Sequence, residues 1–155
     1  MASTPQPLAD DAARRTALTA LDRSLLVEAG AGSGKTAVMA RRIADCVVRA
    51  LALPEIAELR PGLVPELPVY ASTVADTMEE VTAGVADAVA FDAEGRPQVI
   101  VDWKSDVNPA PETVAHYRAQ VGAYLDVTGA ERGLIVLLTS GTVIDVVGSP
   151  AAAAS

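Results

Sequence analysis

The chain has 155 residues, half of them hydrophobic, with 12 basic against 20 acidic side chains and a net charge of −8. That content supports the packed core of one ordinary domain, or of one domain plus an appendage, and excludes wholesale disorder. One cysteine excludes an internal disulfide and a four-cysteine zinc or iron–sulfur site.

In chain order, residues 1–9 are expected to be disordered. Residues 10–22 are Ala-rich and predict a helix, Ser24–Ala29 a short strand of the buried type, Gly30–Gly34 a tight glycine turn, and Lys35 to about Ala50 a second helix. This stretch, 10–50, reads as a partial nucleotide-loop segment. Residues 53–68 carry Pro54, Pro61, Pro65 and Pro68, which break helical continuity and mark a linker or domain edge, a Pro-rich junction placed at 51–65. From 66 to 147 the pattern is that of a compact α/β unit. Val69–Val74, Val81–Phe91 and Gln98–Lys104 predict strands, the last two joined by a turn over 92–97. Glu112–Thr128 predicts an amphipathic helix punctuated by Pro109, Pro111 and Gly129. Gly133–Thr139 and Thr142–Val147 predict two more strands around Ser140-Gly141. Residues 148–155 are low in complexity and expected to be disordered. No run approaches about eighteen apolar residues, and residues 1–10 lack a basic stretch followed by an apolar one. A soluble cytoplasmic chain without membrane contact is expected.

The charge is unevenly spread. Residues 1–60 hold eight basic and seven acidic side chains; residues 61–155 hold four and thirteen. Phosphate affinity grows with cationic contacts, so the acidic part is a poor stand-alone duplex binder. It suits carboxylates that hold metal, with DNA delivered by something else.

The first chemical signature is Ala29, Gly30, Ala31, Gly32, Ser33, Gly34, Lys35 and Thr36. A strand, a glycine turn and a helix start in succession let backbone N–H groups wrap phosphates at a helix terminus. Lys35 is placed for the β- and γ-phosphates and Thr36 for magnesium, so ATP is the expected ligand. The motif resembles the first motif of the UvrD/RecB/AddA helicases, and residues 25–43 are similar to that family around it. No apolar strand ending in Asp-Glu follows before Pro54, and no upstream Gln lies between Leu8 and Asp22. Phosphoryl transfer needs such further groups, so ATPase or helicase activity of this chain alone is not expected.

The second signature is Asp87, Asp102, Lys104, Gln120 and Tyr124. In Val99–Lys104 alternate residues share a face, so Asp102 and Lys104 project together, about 7 Å apart along the strand. Asp102 would bind a metal, Lys104 would orient or deprotonate water, and the backbone carbonyl of Trp103 could add an oxygen. If the strand of Asp87 is a neighbour, Asp87 and Asp102 can converge on one ion, and oxygen ligands suit Mg2+ or Mn2+. His116, Gln120 and Tyr124 recur every four residues as one helical stripe, beside an apolar stripe of Val114, Val121 and Leu125. His116 itself reads as a surface residue, Cys46 as a small buried hydrophobe and Trp103 as a core residue.

Gly84-x-x-Asp87, Asp102-x-Lys104 and Gln120-x-x-x-Tyr124, in that order, resemble the RecB-type branch of the PD-(D/E)xK nucleases. Pro65-Glu66-Leu-Pro68-Val69 is similar to the segment before the first core strand of AddA-type nuclease domains. The resemblance covers residues 60–147. It implies an α/β, restriction-endonuclease-like mixed sheet flanked by helices, here preceded by an incomplete P-loop strand–helix segment. It implies Asp87 and Asp102 as metal ligands, Lys104 as the catalytic lysine, Gln120 and Tyr124 as the helix motif, and Glu66 as a weaker upstream ligand. It further implies metal-dependent cleavage of DNA ends or single strands in double-strand-break repair, a partner subunit, and a relative shortened internally between its two signatures. Two readings stand: a DNA nuclease, expected as an exonuclease, with a vestigial ATP loop; or an ATP-binding helicase remnant whose nuclease fold is inert or only binds.

Overall fold

The computed structural model describes residues 10–28, 30, 32, 34–75 and 78–148, with only the backbone described over 71–75 and 78–83. The tails expected to be disordered, 1–9 and 148–155, lie outside the described residues except for Gly148. The elements are α1 (Asp11–Thr19), α2 (Lys35–Leu51), α3 (Pro54–Leu59), β1 (Leu63–Ala75), β2 (Met78–Phe91), β3 (Pro97–Lys104), α4 (Pro111–Thr128), β4 (Arg132–Leu137) and β5 (Thr142–Val147). The strands form one five-stranded sheet in chain order, β1-β2-β3-β4-β5. Three contacts are antiparallel. The fourth, β3 with β4, is parallel, because α4 carries the chain back along its own face before β4 begins. The sheet is therefore mixed and flanked by helices, consistent with a restriction-endonuclease-like arrangement.

The two faces of the sheet carry separate cores, which explains the near-continuous apolar runs of β3 and β4. Val89, Ile100, Ile135 and Val146 pack under Val121 and Leu125 of α4. Ala88, Val101, Leu134 and Val136 point the other way and pack under Ala50 of α2 and Ile56 of α3. Strand periodicity produces this division: in β3, Val99, Val101 and Trp103 alternate with Ile100, Asp102 and Lys104. Gly133 of β4 lets α4 approach closely, since a Cβ there would collide with the Val121 side chain.

Three expectations need correction. Ser24–Glu28 forms no strand, and Ala29 lies outside the described residues. An extended segment becomes a strand only when a neighbour takes its N–H and C=O groups, and among the described residues no strand pairs with this one; Leu26 is 89% exposed. The Pro-rich junction at 51–65 holds regular elements. Pro54 starts α3 at a position where its missing N–H costs nothing, and Arg60–Gly62 form a 3-10 turn. Pro65 and Pro68 lie inside β1, which tolerates them as an edge strand. Consequently β1 begins six residues before the expected Val69, and β1 and β2 make one long hairpin. The element ends also move: α1 stops at Thr19, β4 covers Arg132–Leu137, and α4 starts at Pro111. Among the described residues no helix is long and apolar enough to cross a membrane.

Candidate active site

The β2–β3 ladder runs from Phe91–Pro97 to Ala88–Val101, and the next residues of the two strands are Asp87 and Asp102. Beyond this point β2 remains paired with β1 and β3 with β4, but the ladder between β2 and β3 has ended, although both strands belong to one sheet. Asp87 fills the position of the lost ladder partner: its Oδ2 accepts the Trp103 N–H at 2.8 Å. A residue's N–H and C=O lie on the same edge of a strand, so the Trp103 carbonyl is directed to the β2 side as well. Its indole lies on the opposite face, against the core under α2 and α3.

Asp102 is 2% exposed, the one buried charged residue among those described. Lys104 Nζ lies 3.1 Å from Oδ1 and 2.9 Å from Oδ2, but only Oδ1 is aligned to accept a hydrogen bond. Oδ2 is buried and accepts none. Burial pushes the Asp102 carboxyl above its ordinary value; Lys104 opposes this, and the adjoining Asp87 carboxyl adds to it through charge and a shared hydrogen bond. Two carboxyl groups and an ammonium thus meet where that ladder ends.

The α4 helix closes the site from above. Gln120 Oε1 accepts from Lys104 Nζ at 3.3 Å, and the Tyr124 hydroxyl donates to the Val85 carbonyl at 3.3 Å. Gly84 belongs to this arrangement because the Tyr124 ring occupies the place of its side chain: a Cβ would lie 2.8 Å from the hydroxyl oxygen. The residue that shares this face with Gln120 and Tyr124 is Tyr117, not His116. At 3.6 residues per turn, positions 117, 120 and 124 align, whereas steps of four drift around the helix, and His116 is exposed. Val121 and Leu125 are buried as the apolar stripe required, with Val114 only half-buried.

Tyr117 and Asp106 escaped the sequence reading. The Lys104 ammonium sits 4.7 Å from the Tyr117 ring centre, and the tyrosine hydroxyl donates to Asp106 Oδ2 at 2.8 Å. That hydrogen bond is the largest influence raising the Tyr117 phenol above its ordinary value, which keeps it a donor. The three-residue spacing from Gln120 was the available signal.

Glu66 stands across from Asp87 in the β1–β2 register, between the pairs Pro65–Ala88 and Leu67–Ala86. Its φ of 53° lies in the left-handed region, and its side chain is exposed. Among the described residues no three of His, Cys, Asp and Glu gather into one cluster. The protein groups that could hold a metal here are therefore the Asp87 and Asp102 carboxylates and backbone oxygens.

The glycine loop lies elsewhere. Ala29, Ala31 and Ser33 are outside the described residues. Gly32 and Gly34 have φ of 74° and 80°, and Gly34 is the N-cap of α2, followed by exposed Lys35 and Thr36 in its first turn. Left-handed backbone immediately before a helix start aims successive N–H groups outward, as an anion cradle requires. Beside it a cavity of about 350 Å3 is lined by Arg14, Leu25, Val27, Glu28, Lys35 and Val38.

Residues 10–56 match the UvrD/REP helicase N-terminal domain. The match takes in the glycine loop, α2 and the start of α3, and stops before the sheet. It supports a UvrD-type helicase relationship for this segment, and with it the helicase and nucleotide-loop reading of the first signature. No curated protein matches the chain. Among solved structures, the one described as "Crystal structure of SSO0001" aligns over 74% of this chain with 16% identity and a TM-score of 0.49. This chain spans 56% of that structure's length.

Proposed function

We propose that the chain is a Mg2+- or Mn2+-dependent DNA nuclease module of PD-(D/E)xK type, carrying a helicase-derived nucleotide loop that does not power it. The observation that carries this reading is the end of the β2–β3 ladder at Asp87 and Asp102, with the Lys104 ammonium between Asp102 and Gln120. Asp102 Oδ2 is buried and met by the Lys104 ammonium at 2.9 Å outside hydrogen-bond alignment, which leaves lone pairs that would suit an oxygen-coordinated dication. Asp87, Asp102 and the Trp103 carbonyl would hold the ion, while Glu66, exposed on β1 across from Asp87, stays outside this set. Bound there, the ion supplies Lewis-acid polarisation of a phosphodiester. Lys104 would orient the attacking water and stabilise negative charge growing on the phosphate oxygens. Gln120 fixes the ammonium through its carbonyl oxygen and would offer its NH2 to the same phosphate. Tyr124 holds α4 against β2. DNA is the substrate class suggested by the helicase match; the acidity of residues 61–155 points to delivery by a partner subunit.

Linear single-stranded DNA incubated with the protein and magnesium should be degraded equally with and without ATP. Asp102→Ala should abolish degradation, and Lys104→Ala should slow it roughly 10²- to 10⁴-fold. Magnesium at about 100 times its dissociation constant should stabilise the folded protein by about 2.7 kcal/mol, an effect absent in Asp102→Asn. Intact DNA and no metal-dependent shift in melting would sink the reading.

The match over residues 10–56 favours a second reading, in which nucleotide binding is the surviving activity and the sheet is an inert or binding module. Its phosphate contacts would come from Gly30, Gly32 and Gly34 with Lys35 and Thr36. ATP-dependent protection of α2 from hydrogen exchange, lost in Lys35→Ala, without DNA cleavage would favour it.

A further inference from the structure

Lys104 has three close neighbours, and only two of them belong to the signature that singles it out. Asp102 and Gln120 accept its hydrogen bonds, while the third, Tyr117, presents the face of its ring 4.7 Å from Nζ. The ring is itself held. Its hydroxyl donates to the Asp106 carboxylate at 2.8 Å, a charge-assisted bond of the stronger kind. Asp106 is fixed in turn, because its carbonyl accepts the Thr139 hydroxyl at 2.8 Å, beside the Leu138 N–H that donates to the Lys104 carbonyl. The ends of β3 and β4 and the second turn of α4 are thereby tied around one ammonium.

We propose that Tyr117, anchored by Asp106, is a positioning residue for the Lys104 ammonium. Its catalytic consequence rests on the nuclease reading; its geometry does not. A lysine stem has four rotatable bonds and a compact charge that a single carboxylate cannot confine. The ring's negative face attracts that charge and adds a third partner to the two hydrogen-bond acceptors. A plain packing role for Tyr117, which also touches the core under α4, predicts a different result on substitution.

The chain has two lysines, Lys35 and Lys104, so their side-chain Hε signals can be assigned by NMR with a Lys35→Arg variant. An aromatic face should move the Lys104 Hε signal upfield of Lys35. Tyr117→Leu should return it to the Lys35 position, and Tyr117→Phe should keep much of the displacement. In DNA cleavage, Tyr117→Leu should lower kcat roughly ten-fold with KM changed less than about two-fold, the order of a desolvated cation–π contact, and Tyr117→Phe should recover most of the loss. If Tyr117→Leu does not melt cooperatively, exposed Asp106→Ala decides: a partial return of the Hε signal and a kcat loss of roughly three-fold support the proposal. Hε signals that coincide in the unaltered protein, or variants that leave both shift and kcat unchanged, overturn it. An unaltered protein that does not cleave DNA sinks the nuclease reading instead, and the NMR series then decides the positioning on its own.

Discussion

Gly84 shows how one missing side chain builds a site. The Tyr124 ring lies where its Cβ would be, with the hydroxyl oxygen 2.8 Å and a ring carbon 2.9 Å from that point. This contact lets β2 approach α4, and three residues later the same strand delivers Asp87 to the site. The glycine is required here by space and not by a special backbone angle. Gly84→Ala should therefore cost about 1–3 kcal/mol, the usual penalty for overpacking, as read in urea unfolding. Much of that cost should disappear in a Tyr124→Ala background, where the ring is gone; an unrelieved loss would show that the strand backbone, and not the ring, resists the methyl group.

Among the elements, the β2–β3 turn is the part most clearly under electrostatic control. Asp92 Oδ1 accepts the N–H groups of Glu94 at 3.0 Å and Arg96 at 2.8 Å, and Oδ2 accepts the Arg96 guanidinium at 2.8 Å. Gly95, with φ of 79°, completes the reversal. The Arg96 backbone N–H is the largest influence holding the Asp92 carboxyl below its ordinary value, and the Arg96 side chain adds to it. A carboxyl lowered by folding contributes stability above its unfolded value of 3.8, lost as pH falls through the lower folded value. Acid unfolding of Asp92→Asn should accordingly be less steep below about pH 4 than that of the unaltered protein, with the two curves parallel near neutrality. The α4–β4 contact is the apolar counterpart. Gly133→Ala drives a methyl group into Val121 and should lower stability by about 1–3 kcal/mol in the same urea assay.

For the whole molecule, the consequential fact is that the helicase-like segment is also half of the sheet's cover. Ala50 and Ile56, 1% and 0% exposed, lie in one core with Ala88, Val101 and Val136. Cys46, a free thiol, is buried nearby. The outer side of the same segment is bare: Met39, Ile43 and Val48 of α2 are exposed, as is Leu26. Removing residues 1–34 should leave a cooperative thermal melt. Removing residues 1–60 should abolish it, because fully buried Ile56, worth about 1.5–3 kcal/mol, leaves the core together with half-buried Leu51, Leu53 and Leu59. A cooperative melt in the shorter protein would show that the sheet and α4 suffice.

The sequence by itself determined what short-range geometry controls. The alternation in Val99–Lys104 put Asp102 and Lys104 on one face and Trp103 on the other. The proline and glycine at its ends bounded α4, and Gly30–Gly34 marked a turn into a helix. Only the tertiary structure decided what depends on a neighbour. Ser24–Glu28 has a strand's composition but no partner strand among the described residues, while prolines 54 to 68 read as a linker or domain edge and yet supply the first residue of a helix and parts of an edge strand. The end of the β2–β3 ladder at Asp87 and Asp102, and the place of Tyr117 beside Lys104, follow from how far two ladders extend and how α4 is rotated on the sheet. These are long-range quantities that no local periodicity encodes.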